Sequence, residues 1–89
     1  MGKGDISWKR KTPEGDKVQV YAHASGKQWR FYLRHQRFER WQPLDSPPLE
    51  DWLALLDAVE RRVARRLCRP EQVAQIKQAI RNRFPEVKL

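Results

Sequence analysis

Val18-Gln19-Val20-Tyr21-Ala22-His23-Ala24 alternates apolar and polar residues without a break. In an extended strand successive side chains point to opposite faces. Val18, Val20 and Ala22 then share one face, and Gln19, Tyr21 and His23 the other. The flanks extend the pattern. Pro13-Glu14-Gly15-Asp16 precedes the strand and reads as a turn, with Pro and Gly placed as turns require. Ser25-Gly26-Lys27 follows it as a second turn. Ile6–Thr12 is then a first short strand, and Gln28–His35, rich in aromatic and extended residues, is a third. Strands joined by such short turns pair antiparallel. Beyond His35 the pairing continues less regularly through Phe38 and Trp41, either as one long bent strand or as a third hairpin. Residues 1–5 read as a frayed start.

The C-terminal half changes period. Pro43–Pro48 is expected to be a linker that breaks the strand pattern, and Pro47-Pro48 opens a helix. From Leu49 to Leu67 the residues Trp52, Leu53, Leu55, Leu56, Val59, Val63 and Leu67 fall on one helical face. Pro70 disfavours helical geometry at Arg69 and begins a second helix. There Val73, Ile76, Ala79, Ile80 and Phe84 recur at helical spacing, and Pro85 closes it. There is no internal repeat. The expected fold is α+β: an antiparallel sheet of three strands, or four, packed on two C-terminal helices in the order β-β-β-α-α. The bounds are 6–42 for the sheet, 48–68 for the first helix and 70–84 for the second, in one domain, 1–89.

Alternation sorts the strand residues into two sets. Ile6, Trp8, Val18, Val20, Ala22, Trp29, Phe31 and Leu33 form an apolar set that belongs against the helices. Lys9, Lys11, Gln19, Tyr21, His23, Arg30, Tyr32 and Arg34 form the opposite set, which contains no acid. Cations mixed with tyrosines and polar groups are the residue types that contact phosphates and stack on bases or sugars. A solvated sheet face, with tyrosines as cross-strand packers, would show the same composition. A slip of one residue in any strand would exchange its sets.

A second basic feature is Arg61-Arg62-Val63-Ala64-Arg65-Arg66-Leu67-Cys68-Arg69, with five arginines and no acid. At helical spacing Arg61, Arg62, Arg65, Arg66 and Arg69 fall in one arc of about 140°. Arg61/Arg65, Arg62/Arg66 and Arg65/Arg69 are like-charged i,i+4 pairs, each costing roughly 0.2–0.5 kcal/mol on a helix surface. Asp57, four residues before Arg61, is the local acidic partner. Two readings stand: a cationic face presented to something anionic, or a solvated face matched to the helix C-terminal dipole.

Net charge is +8 and the pI about 10.3. Such a balance favours nucleic acid, an anionic membrane surface or an acidic protein. Residues 1–40 carry ten Lys/Arg against four acids, and residues 41–89 nine against seven, so the excess lies in the sheet half. No apolar run is long enough to span a bilayer. The apolar helix face is needed for the core of so small a domain, which argues against a membrane-surface helix. A single cysteine, Cys68, excludes an internal disulfide and fits a reducing compartment. Met-Gly-Lys-Gly-Asp lacks an apolar signal region, so a cytoplasmic protein is expected.

No catalytic or cofactor pattern is visible. His23, His35 and Cys68 do not have zinc-ligand spacing. Cys68 beside arginines reads as a small buried residue at a helix end. Asp57 and Glu60 belong to an exposed helix side, which needs charges, and make no acid–base pair. The serines support no Ser-His-Asp arrangement, and the isolated glycines no phosphate-cradling loop. Neither cofactor nor metal is expected, and no enzyme.

The order of three antiparallel strands and then a helix resembles that of small DNA-binding domains that lay a sheet in the major groove, such as those of plant ethylene-response factors and some integrase arm-binding domains. The likeness is one of element order alone, carries no residue motif, and departs at the second helix. The expected function is non-enzymatic binding of nucleic acid, DNA or RNA. The sheet set Lys9, Lys11, Tyr21, His23, Arg30, Tyr32 and Arg34 would form one surface, and Arg61, Arg62, Arg65, Arg66 and Arg69 a second. The alternative is a protein–protein interaction module that binds an acidic partner, or pairs as a homodimer through its helices.

Overall fold

A computed structural model describes residues 5–25, 28–35 and 39–88. The expected turn at Gly26-Lys27, the strand continuation at Phe38 and the start at 1–4 lie outside the described residues. The chain forms two compact units, Met1–Ser46 and Pro47–Leu89. In sequence they give an antiparallel sheet followed by two helices, the expected α+β arrangement.

The first unit is a four-stranded sheet in the order β1-β2-β3-β4. Its strands are β1 (Ile6–Lys11), β2 (Lys17–Ser25), β3 (Gln28–Arg34) and β4 (Gln42–Leu44). Each adjacent pair is antiparallel, as short connections dictate. Within the β1–β2 turn Gly15 takes φ +95°, which a side chain would resist. Its N–H donates to the Thr12 carbonyl at 2.9 Å, and the Thr12 hydroxyl accepts from the Asp16 N–H at 3.1 Å.

The register fixes the faces. Trp8 lies opposite Val20 and Val20 opposite Leu33; Ile6 lies opposite Ala22 and Ala22 opposite Phe31. The apolar set therefore shares one face, as alternation required. Ile6, Val18, Val20, Ala22 and Phe31 are buried, whereas Trp8, Trp29 and Leu33 are half-buried. Trp8 meets Phe31 edge-on, with ring centroids 6.1 Å apart.

The expected linker over Pro43–Pro48 is corrected at its start. Gln42–Leu44 pairs with β3, so the chain after His35 returns as a hairpin partner. Proline has no N–H to give a ladder, which confines it to edge strands, and β4 is an edge.

The second unit holds α1 (Leu49–Ala64) and α2 (Pro70–Arg83). Trp52, Leu55, Leu56 and Val59 are buried at i, i+3, i+4 and i+7 on α1, and Ile76 and Ile80 one turn apart on α2. The guanidinium of Arg83 lies 4.9 Å from the Trp52 ring centre. Asp51 is fully buried in the first turn of α1, where a carboxylate faces the positive helix end. Sequence reasoning missed it. Two members of the expected apolar face are corrected. Leu53 is 40% exposed at the edge of the stripe, and Leu67 is 69% exposed because it is no longer helical.

The first helix stops at Ala64, not at residue 68. The Leu67 N–H donates to the Arg62 carbonyl at 2.8 Å and the Arg66 N–H to the Val63 carbonyl at 2.9 Å. These two bonds are a Schellman motif, which requires one left-handed residue. That residue is Arg66, at φ +62°, where glycine is the usual occupant. A capping motif without glycine leaves no compositional mark, so periodicity ran past the end. Cys68 consequently lies in the interhelical turn and is half-buried, not buried at a helix end.

Candidate nucleic-acid interface

The polar sheet face is built in cross-strand rows. Ser7, Tyr21, Tyr32 and Pro43 form one row, and Lys9, Gln19 and Arg34 the next. His23 faces Arg30 on one side of these, and Lys11 faces Lys17 on the other. Every sheet residue singled out in the sequence therefore lies on this face. Lys9, Lys11, His23 and Arg30 are exposed; Tyr21, Tyr32 and Arg34 are half-buried.

The rows are tied together by contacts between side chains. Tyr21 and Tyr32 stack, with centroids 4.7 Å apart and planes inclined by 14°. Trp41 meets Tyr21 at 4.6 Å and 82°. The Arg34 guanidinium lies 4.3 Å from the Trp41 ring centre, and its Nε donates to Gln19 Oε1 at 2.7 Å. The cation–π contact and hydrogen bond hold Arg34 in place. Trp41 thus extends the Lys9–Gln19–Arg34 row, a role that could not be read while the strand pattern after His35 was open.

Charge is distributed unevenly over the face. Asp5, immediately before β1, accepts from His23 Nδ1 at 2.5 Å, with the carboxylate side chain 9% exposed. The expected acid-free face thus has an acid at its His23–Arg30 end. Parity could have found it, because Asp5 is two residues from Ser7. Burial raises the Tyr21 phenol above its ordinary pKa, with Tyr32 and Asp5 adding to the shift. At the other end Lys9, Lys11, Lys17 and Arg34 gather on rows that contain no acid. Lys17 shares the parity of Gln19 and belonged in the set from the start. A depression of about 420 Å³ there has Lys9, Arg10, Lys11, Lys17 and His35 among its walls. A second, of about 270 Å³, includes Lys9, Gln19, Arg34 and Trp41 in its lining.

The arginine run is not the arc that helical spacing predicted. Arg61 and Arg62 belong to the last turn of α1, and Arg61 pairs with Asp57 as expected. Arg65 is the C-cap and Arg66 the left-handed residue after it. Arg69 is the N-cap of α2, with extended φ and ψ. Its N–H donates to Gln72 Oε1 at 3.2 Å, while its own side chain, which has donors only, cannot cap the helix. The supposed i,i+4 pairs Arg62/Arg66 and Arg65/Arg69 do not exist, because helical geometry ends between their members. The dipole of α1 favours Arg61 and Arg62 at its C-terminal end, whereas that of α2 disfavours Arg69 at its N-terminal end.

Among the described residues no cluster of His, Cys, Asp and Glu could hold a metal ion, and no helix is long and apolar enough to cross a membrane. Comparison of the chain with protein-family models, with curated proteins and with solved structures gives no match.

Proposed function

We propose that the chain is a small non-enzymatic nucleic-acid-binding protein that meets its ligand through the polar sheet face. One observation carries the reading: Lys9, Lys11, Lys17 and Arg34 converge on adjoining rows free of acids, beside tyrosine hydroxyls. Phosphates meet the cations, and the hydroxyls of Tyr21 and Tyr32 contact sugar or phosphate oxygens. Arg30 and His23 make a weaker end of the same surface, since Asp5 offsets their charge. Arg61, Arg62, Arg65, Arg66 and Arg69 add diffuse attraction. The reading takes the cytoplasm as the site of action, which a single free thiol suits.

A titration of labelled DNA and RNA, followed by anisotropy across a salt series, tests this. Log K should fall linearly with log[salt], with a slope of about −0.9 for each duplex phosphate neutralised. No binding to any nucleic acid at about 50 mM salt, where such contacts are strongest, ends the proposal.

The exposure of Leu53 and Leu67 favours a second reading, an interaction module that pairs through its helices or takes an acidic protein. Single exposed leucines are common on monomers, so this reading ranks below the first. Sedimentation equilibrium showing a dimer that Leu67→Gln abolishes would reverse the ranking.

A further inference from the structure

We infer, resting on the reading above, that the ligand is a double-stranded nucleic acid held by its backbone, and not an unpaired strand whose bases stack on the sheet. The orientation of the aromatic rings carries this. Directly opposed residues of antiparallel strands have Cβ atoms about 4.5–5.5 Å apart. The Tyr21 and Tyr32 ring centroids are 4.7 Å apart and nearly parallel. Two rings lying flat beside each other on the sheet would collide at that separation, because carbon atoms in contact are already about 3.5–4.0 Å apart. The rings therefore stand face to face and do not lie flat on the sheet.

The remaining ring faces are crowded as well. Trp41 lies nearly perpendicular to Tyr21 at 4.6 Å, and one face of Trp41 carries the Arg34 guanidinium. Pro43 is the cross-strand neighbour of Tyr32 on the side away from Tyr21. Single-strand binders rely on aromatic faces laid open to successive bases. This sheet instead offers hydroxyls, amines and a guanidinium, which recognise phosphate and sugar. Duplex DNA presents one charge per about 1.7 Å of axis, twice the density of either strand alone. A surface without open stacking platforms gains most from that density.

The test uses the full chain, a DNA duplex, an RNA duplex and their separated strands, all of equal length, with anisotropy at about 50 mM salt. The expected result is that at least one duplex binds about tenfold more tightly than its own strands. Tyr32→Leu and Tyr32→Phe, both checked for folding by circular dichroism, should have strand affinities within about twofold of each other, because both lose the hydroxyl and no base stacks on the ring. Strand affinity within about threefold of the tighter duplex, or higher, overturns this inference while leaving nucleic-acid binding intact. So does a strand affinity of Tyr32→Leu about threefold or more below that of Tyr32→Phe. Binding of neither form overturns the proposed function itself. The DNA and RNA arms separate the two sources of duplex.

Discussion

The two basic regions of this molecule, the polar sheet face and the Arg61–Arg69 run, look alike in composition and differ in what organises them. On the sheet, backbone pairing places Lys9, Gln19 and Arg34 side by side although they lie up to 25 positions apart in the chain. In the run, five arginines close in sequence are distributed over a helix end, a left-handed residue and the start of another helix. Proximity in sequence did not make a single helical face there. Regular hydrogen-bonded structure is what turns spacing into a face, and the run lies where that structure stops.

The largest expected effect separates the regions by affinity. Lys9→Ala, Lys11→Ala and Lys17→Ala together remove three exposed cations from the lysine-bearing end of the sheet face. If each neutralises one phosphate, the salt slope should fall by about 2.7 and duplex affinity on the order of a hundredfold near 0.1 M salt. Arg65→Ala, Arg66→Ala and Arg69→Ala remove equal charge from the helical unit and should cost far less. Equal losses would break the comparison and assign the arginines an equal share of the contact.

Two stability measurements sharpen it from the helical side. Arg69 is an N-cap with no side-chain acceptor, at the positive end of a dipole. Arg69→Asp supplies the missing acceptor and reverses the charge, so urea denaturation should show a gain of about 1 kcal/mol. Arg66→Gly should give a smaller gain, roughly 0.5–1 kcal/mol, by relieving the left-handed strain at φ +62°. A loss in either variant would mean that the arginine makes a contact within the fold that outweighs its backbone cost.

The same contrast explains what the sequence disclosed. The three long strands, both faces of the sheet and the existence of two helices followed from alternation and helical spacing, because burial imposes a period on residues such as Val18-Val20-Ala22 and Trp52-Leu55-Leu56-Val59. The helix end at Ala64 left no such mark, since the capping motif there is filled by an arginine and the glycine signal is absent. β4 was hidden because proline reads as a strand breaker unless the strand is known to be an edge. In the candidate site, parity supplied the cations. The charge gradient across the face depended on Asp5, which parity with Ser7 could also have supplied, whereas the place of Trp41 beside Arg34 followed only from the structure.

The smallest expected effect tests the stacked tyrosine row itself. Both tyrosines, Tyr21 and Tyr32, lie in the sheet unit, and the helical unit has none. Burial is the first cause of the raised Tyr21 pKa, and the neighbouring Tyr32 and Asp5 follow. A phenol is neutral below its pKa, so a raised folded value means that the folded state holds this proton more firmly than the unfolded chain. The linked stability is fully present below the unfolded value of about 10 and is lost as pH rises through the higher folded value. Absorbance at 295 nm should show one tyrosine titrating later than a model phenol. Denaturant midpoints should decline from about pH 10 upward, and Tyr21→Phe should flatten that decline. If Tyr21 titrates at the ordinary phenol value, it is not enclosed between Tyr32 and Trp41. The open ring faces that single-strand stacking needs would then be available, and the distinction between a sheet of crowded rings and a base-stacking one would fail with it.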